Sequence, residues 1–180
     1  MSSDRRVKAK VCLVGEHEVG KTSLIRRFVL DEFDDRYIVT LGAKVSKKEL
    51  QVKAADEPEF QMDMTVWDIM GSRGFRELMR EAYFYGAQGV LAVCDLTRGD
   101  TLEQLDDWME AVYQTIGEVP VILVVNKRDM AARAAFTEQQ VSQAAVAFDC
   151  PYYFTSAKTG ENVEEIFRTL GLAIAHRVLA

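Results

Sequence analysis

Gly15-Glu16-His17-Glu18-Val19-Gly20-Lys21-Thr22 fits the spacing G-x-x-x-x-G-K-[ST], a set of residue types suited to holding phosphate. Gly15 and Gly20 let the backbone curl so that successive N–H groups, from Glu18 and Val19 through Gly20, Lys21, Thr22 and Ser23, face an anion. Lys21 is placed to reach the outer phosphates of a nucleotide, and the Thr22 hydroxyl to bind Mg²⁺. A glycine-rich turn alone would leave Lys21-Thr22 unexplained. The apolar stretch Lys8 to Val14 before the loop and the helical run Ser23 to Leu30 after it supply the strand–loop–helix context that the motif needs.

Three later segments could complete such a site. Val66-Trp67-Asp68-Ile69-Met70-Gly71 puts a carboxylate at the end of an apolar run, where Asp68 can hold a metal-bound water. Gly71 can then offer its N–H to a terminal phosphate at close approach. Asn126-Lys127-Arg128-Asp129 follows the apolar run Val121 to Val125, and Thr155-Ser156-Ala157-Lys158 follows Tyr152 to Phe154, so both loops open at one sheet edge. A carboxylate such as Asp129 accepts two N–H bonds from guanine N1 and N2, a donor pair that adenine lacks. With charge-assisted bonds worth about 1.5–3 kcal/mol each, discrimination of about a hundredfold or more follows.

The elements that position these residues alternate along the chain. Val11 to Val14, Gly89 to Cys94 and Val119 to Val125 are short, β-branched and unalternating, as expected of parallel strands covered on both faces. Lys44 to Val52 and Phe60 to Trp67 alternate apolar and polar residues across a polar link and predict a hairpin. A helix is expected over 100–116, with Asp100 and Glu103 at capping-box spacing and Leu102, Leu105, Trp108, Met109, Val112 and Ile116 on one stripe. Thr137 with Gln140 marks another helix start. A last helix is expected from near Asn162, with Glu165 three residues on and Val163, Ile166, Phe167, Leu170 and Ile174 on its inner face. The expected fold is α/β: a doubly wound, mostly parallel six-stranded sheet with one antiparallel edge strand and helices on both faces.

At 180 residues and 48% hydrophobic, the chain suits one compact domain, with residues 1–6 expected to be flexible. Its 22 basic and 28 acidic residues give a net charge of −6, which exerts no general pull on nucleic acid or anionic lipid. Cys12, Cys94 and Cys150 are too few and scattered for a disulfide framework or zinc site and read as reduced thiols. No apolar run reaches the length of a membrane span, residue 2 is Ser2, and the last five residues contain no cysteine. A cytoplasmic protein with no intrinsic lipid anchor is expected.

With these motifs in order, the chain resembles the Ras-like small GTPases, and among them most closely the Rab-type members, from about Val7 to Ala175. Asn126 to Asp129 matches the family's N-K-x-D, and Thr155 to Lys158 its T-S-A-K. Tyr83 through Thr97 resembles the Rab stretch into the fourth strand, and Tyr37-Ile38-Val39-Thr40-Leu41-Gly42 the first switch. The resemblance implies a P-loop GTPase domain that binds GTP or GDP with Mg²⁺. It implies that Thr40 joins Thr22 and Asp68 around the metal, that Thr40 and Gly71 bind the γ-phosphate, and that Tyr37 belongs to the nucleotide-binding first switch. Phe33 would pack edgewise on the base, Asn126 would brace the loops, and Lys127 and Lys158 would lie along the base faces. The Ala157 N–H, next to Ser156, would reach guanine O6.

The resemblance also implies catalysis by Lys21, Thr40, Gly71 and the residue at position 72, and here the chain departs from the family. Where the family has D-T-A-G-Q-E, this chain reads Asp68-Ile69-Met70-Gly71-Ser72-Arg73, so Ser72 replaces the glutamine that orients the attacking water. His17 and Glu18 stand where small residues are common. The implied function is a guanine-nucleotide switch with slow hydrolysis. The alternative is a GTP-locked or nucleotide-insensitive binding scaffold; an ATP-using enzyme is disfavoured by Asp129 and the Ser156 to Lys158 loop. Effectors, exchange factors and GTPase-activating proteins are expected on residues 34–45 and 71–85, with Trp67 at the base. Arg73, Arg76 and Arg80 are open to two readings, a docking face or an ordinary solvated helix face.

Overall fold

The computed structural model describes residues 5–34, 43–56, 58–69 and 73–179. Tyr37, Thr40, Gly71 and Ser72 lie outside them, as do the side chains of Arg73 and Arg76. Six strands, β1 (Arg6–Val14), β2 (Ala43–Val52), β3 (Phe60–Ile69), β4 (Gly89–Asp95), β5 (Val121–Asn126) and β6 (Tyr152–Phe154), form one sheet in the order β2-β3-β1-β4-β5-β6. Among the described strands only the β2–β3 pair is antiparallel, with Val52 opposite Phe60 and Ala43 opposite Ile69. The described helices are α1 (Lys21–Leu30), α2 (Arg73–Phe84), α3 (Gly99–Glu103), α4 (Leu105–Ile116), α5 (Glu138–Ala147) and α6 (Val163–Leu179). A 3₁₀ turn follows β5 at Arg128–Arg133.

The unalternating strands are apolar on both sides because both sides are covered. Val7, Ala9, Val11 and Leu13 of β1 face a core with Leu24 and Phe28 of α1 and Ile166, Phe167 and Leu170 of α6. Cys12 and Val14 face the opposite core, with Tyr83 and Phe84 of α2, Trp108, Met109 and Val112 of α4 and Val141 of α5. Each fully buried Leu or Phe contributes about 1.5–3 kcal/mol. The rings of Phe28 and Phe167 stack at 3.9 Å and 3°, fixing α1 against α6. Burial pushes the Cys12 thiol up to about 12 and the Cys150 thiol to about 11, and raises that of Cys94, so none is a ready nucleophile.

Several boundaries differ from expectation. β1 starts at Arg6 rather than Lys8, because β3 extends alongside it and Arg6 pairs with both Asp63 and Glu49. Arg6 therefore lies in a strand, not in a flexible tail. The helix expected over 100–116 is two, α3 and α4, meeting at Gln104. The Asp100–Glu103 capping box does not form. Instead the buried Thr101 hydroxyl donates to the Arg98 carbonyl at 2.7 Å and accepts from the Asp95 N–H at 2.9 Å, so the helix starts earlier, at Gly99. Thr137 and Gln140 do form a capping box at α5. Asn162 sits at φ 57° and donates its amide to the Phe154 carbonyl instead of capping α6.

Strand order sets the site. β1 lies between β3 and β4, so the chain leaves β3 on one side of β1 and re-enters the sheet on the other. The carboxyl end of β1 is thus the topological switch point, where α/β sheets bind ligands.

Candidate functional site

At that point the chain turns through Gly15, at φ 144°, and Gly20, at φ 101°. A Cβ on Gly15 would stand 2.2 Å from the Val93 carbonyl oxygen, and one on Gly20 would stand 2.3 Å from Asn126 Nδ2, so each position requires glycine twice over. α1 begins at Lys21 with no side-chain cap, and its first helical bond runs from Leu24 N–H to the Gly20 carbonyl. The Lys21, Thr22 and Ser23 N–H groups precede that bond, which puts the positive end of the helix dipole at the loop. Glu18 takes the left-handed conformation at φ 65° without being glycine. Its carboxylate lies 3.9 Å from His17 Nε2, and both side chains are exposed.

Lys21 is buried and donates to the Gly15 carbonyl at 2.7 Å and the Glu16 carbonyl at 2.9 Å. Burial pulls its ammonium down to about 8, against the opposing pull of Asp68 and Glu16. Thr22 donates its hydroxyl to the buried Asp68 carboxylate, bringing two hard oxygen donors from α1 and β3 together. A hydroxyl beside a carboxylate fits Mg²⁺, which prefers oxygen ligands and keeps part of its shell for water and phosphate.

The loops after β5 and β6 are tied to this turn through one side chain. Asn126 donates Nδ2 to the Val19 carbonyl at 3.0 Å, while its Oδ1 accepts from the Thr155 hydroxyl at 3.1 Å and the Ala157 N–H at 3.3 Å. Ser156 donates its hydroxyl to Asp129 Oδ1 at 2.7 Å, orienting an exposed carboxylate at the rim. Lys127, at φ 68°, pairs with the buried Asp95 at 2.8 Å, and Lys158 is exposed beside Ala157. Phe33 is half-buried and packs against the α1/α6 core.

Residues 10–176 match the Ras family model. The chain belongs to the Ras family of small GTPases. It is 31% identical to Ras-related protein SEC4 of Candida albicans (strain WO-1) over 169 residues, spanning 93% of this chain and 78% of that one. It is 32% identical to Ras-related protein Rab-13 of Canis lupus familiaris over 162 residues, 89% and 77% of the two chains. Against SEC4 of Saccharomyces cerevisiae the identity is 33% over 170 residues, 94% and 76%. Among the described residues of this small GTPase, no helix is long and apolar enough to cross a membrane.

Four bracing residues in this GTPase escaped the sequence reading. Asp95 ends β4 and Asp68 stands one residue from the end of β3, and that similar placement of a carboxylate was its available signal. Burial works to raise the Asp95 carboxyl, but bonds from Lys127 and Thr97 outweigh it and hold it below the usual carboxylate range. Arg98 joins Asp95, at 3.2 Å, to the His17 carbonyl at 2.5 Å. Trp108, expected only as core, donates its indole N–H to Glu16 Oε1 at 2.8 Å. A buried indole needs an acceptor, and that requirement was the signal. Arg27 reaches the Ala157 and Lys158 carbonyls, with no pattern in the sequence to announce it.

Proposed function

We propose that this small GTPase is a single-domain guanine-nucleotide switch that binds GTP or GDP with Mg²⁺ and hydrolyses GTP slowly. The observation that carries the reading is the Asn126 side chain, which bonds the phosphate loop at Val19 and the base-side loop at Thr155 and Ala157, making one site of two. In this reading the backbone N–H groups from Glu18 to Ser23 cradle the phosphates and the protonated Lys21 pairs with their oxygens. Thr22, Asp68 and Thr40 would hold Mg²⁺. Asp129 accepts from guanine N1 and N2, Ala157 donates to O6, and Lys127 and Lys158 flank the base. When bound, Mg²⁺ neutralises charge on the β- and γ-phosphate oxygens.

Hydrolysis is slow in this reading because Ser72 occupies the water-positioning site. Its hydroxyl is shorter than a glutamine amide and reaches the attacking water only through another water. The γ-phosphate orders Thr40 and Gly71, so residues 34–45 and 71–85 change with the nucleotide and carry effectors, exchange factors and activating proteins. Chromatography of the copurifying nucleotide, followed by single-turnover hydrolysis by wild type and Ser72→Gln, tests the proposal. Guanine nucleotide and a glutamine variant about tenfold faster are expected. Adenine nucleotide would overturn the binding assignment. An unaccelerated glutamine variant would overturn the role of Ser72, and His17→Ala then shows whether His17 positions the water instead. A wild type that never turns over leaves the GTP-locked scaffold.

A further inference from the structure

α1 carries the phosphate loop at its start and, six residues past Lys21, Arg27. The Arg27 side chain is only 19% exposed. Its Nε donates to the Ala157 carbonyl at 2.9 Å and its Nη2 to the Lys158 carbonyl at 2.6 Å. Nη1 turns the other way, to the Asp31 carboxylate at 3.1 Å and the Asp31 carbonyl at 3.3 Å. Gly160 lies against the stem, where a Cβ would be 3.7 Å from Arg27 Cδ. A guanidinium is a rigid planar fork, so gripping two consecutive carbonyls fixes backbone orientation, which a single bond would leave free.

That grip acts on the residue whose N–H faces the site. The Ala157 carbonyl turns outward to α1 while its N–H turns inward to the Asn126 amide oxygen, at 3.3 Å. The loop's other bonds run within it, as from Ser156 N–H to Glu161 and Gly160 N–H to Ser156, or join it to the end of β5 and the turn after it, between Thr155 and Val125, Asn126 and Arg128 and between Ser156 and Asp129; among the described residues, Arg27 is what ties it to α1. We propose that Arg27 is a positioning residue for base selection: by holding the Ala157 and Lys158 carbonyls outward, it keeps the Ala157 N–H where the purine 6-oxygen is read. That test is separate from the one Asp129 makes at the 2-amino group. The inference rests on the guanine-nucleotide reading above.

The two tests separate experimentally. Displacement of a fluorescent GDP is measured with GDP, IDP, which lacks the 2-amino group, and 6-thio-GDP, whose sulfur is a poorer acceptor than oxygen. Wild type is expected to favour GDP over both. Arg27→Ala should lower the GDP-over-6-thio-GDP preference about fivefold while leaving the GDP-over-IDP preference unchanged. Arg27→Lys, which offers a point charge to one carbonyl, should fall between, and it stands in should the alanine variant not fold. Asp31→Asn leaves both carbonyl bonds in place and should keep both preferences. A uniform loss for all three nucleotides would mean that Arg27 is only structural, and no change in either preference would equally overturn the proposal. Wild type without preference for GDP over 6-thio-GDP overturns it too, leaving guanine selection to Asp129. Equal binding of ADP and GDP by wild type sinks the guanine reading itself.

Discussion

In the proposed function, Lys21 should make nucleotide binding depend on pH in a range where an ordinary lysine would not. Its ammonium is lowered from 10.5 to about 8, chiefly by burial. Phosphate oxygens favour the charged form, so association above this value must take up a proton. The penalty is the fraction of Lys21 that is neutral beforehand: about a tenth at pH 7 and about nine-tenths at pH 9. Affinity for GDP should therefore fall about tenfold between those pH values, equivalent to about 1.4 kcal/mol. The stability of the ligand-free protein should move the other way. A depressed folded-state value contributes stability that is full above 10.5 and lost as pH falls through 8, an effect bounded at about 3 kcal/mol.

Calorimetry in buffers of different ionisation enthalpy reads the proton directly. Uptake should approach one per GDP at about pH 9 and be near zero at about pH 7. Lys21→Met removes the titrating group, and its weaker binding should lose most of the slope. Wild-type affinity that stays flat across this range, with no proton taken up, would refute the link between Lys21 burial and phosphate binding.

Other perturbations probe the cradle piece by piece. Glu18→Gly removes a non-glycine residue from φ 65° and should stabilise the fold by about 0.5–1 kcal/mol after glycine's own entropy cost, seen as a higher melting temperature. Gly20→Ala drives a Cβ into Asn126 Nδ2 and should weaken GDP binding about tenfold or more by breaking the Asn126–Val19 bond, measured by fluorescent-nucleotide titration. Asp129→Asn should shift preference toward xanthine nucleotides, since an amide can donate to the oxo group that replaces the 2-amino group; competition between GDP and XDP reads it. Hydrogen exchange in residues 34–45 and 71–85 should differ between GDP and GTP states more than elsewhere.

The glycine turn between β1 and α1 could be read in advance because its glycines are obligatory: at φ 144° and 101°, with a carbonyl and an amide within 2.3 Å of any Cβ, no other residue fits. The strands could be read because burial on both faces leaves an unbroken apolar run. Asp100 misled for a local reason, since a buried hydroxyl one residue later, on Thr101, supplied the turn that a cap would otherwise have made. The braces around the site were hidden for a more general reason. Lys21 bonds the carbonyls of Gly15 and Glu16, Arg98 that of His17, and Arg27 those of Ala157 and Lys158; the brace at Asn126 was expected, but its acceptor, the Val19 carbonyl, was not. Every residue has a carbonyl, so a sequence displays such donors but never their acceptors. Arg27, 130 positions from Ala157, reads as one more cation on a solvated helix face until the fold brings the two together. Ser156 and Asp129 were legible because each stands in a motif, whereas Trp108 with Glu16 and Lys127 with Asp95 lie in no shared motif and were not. The parts of a nucleotide site held by side chain to backbone bonds are therefore those in which substitutions look neutral in sequence and are not.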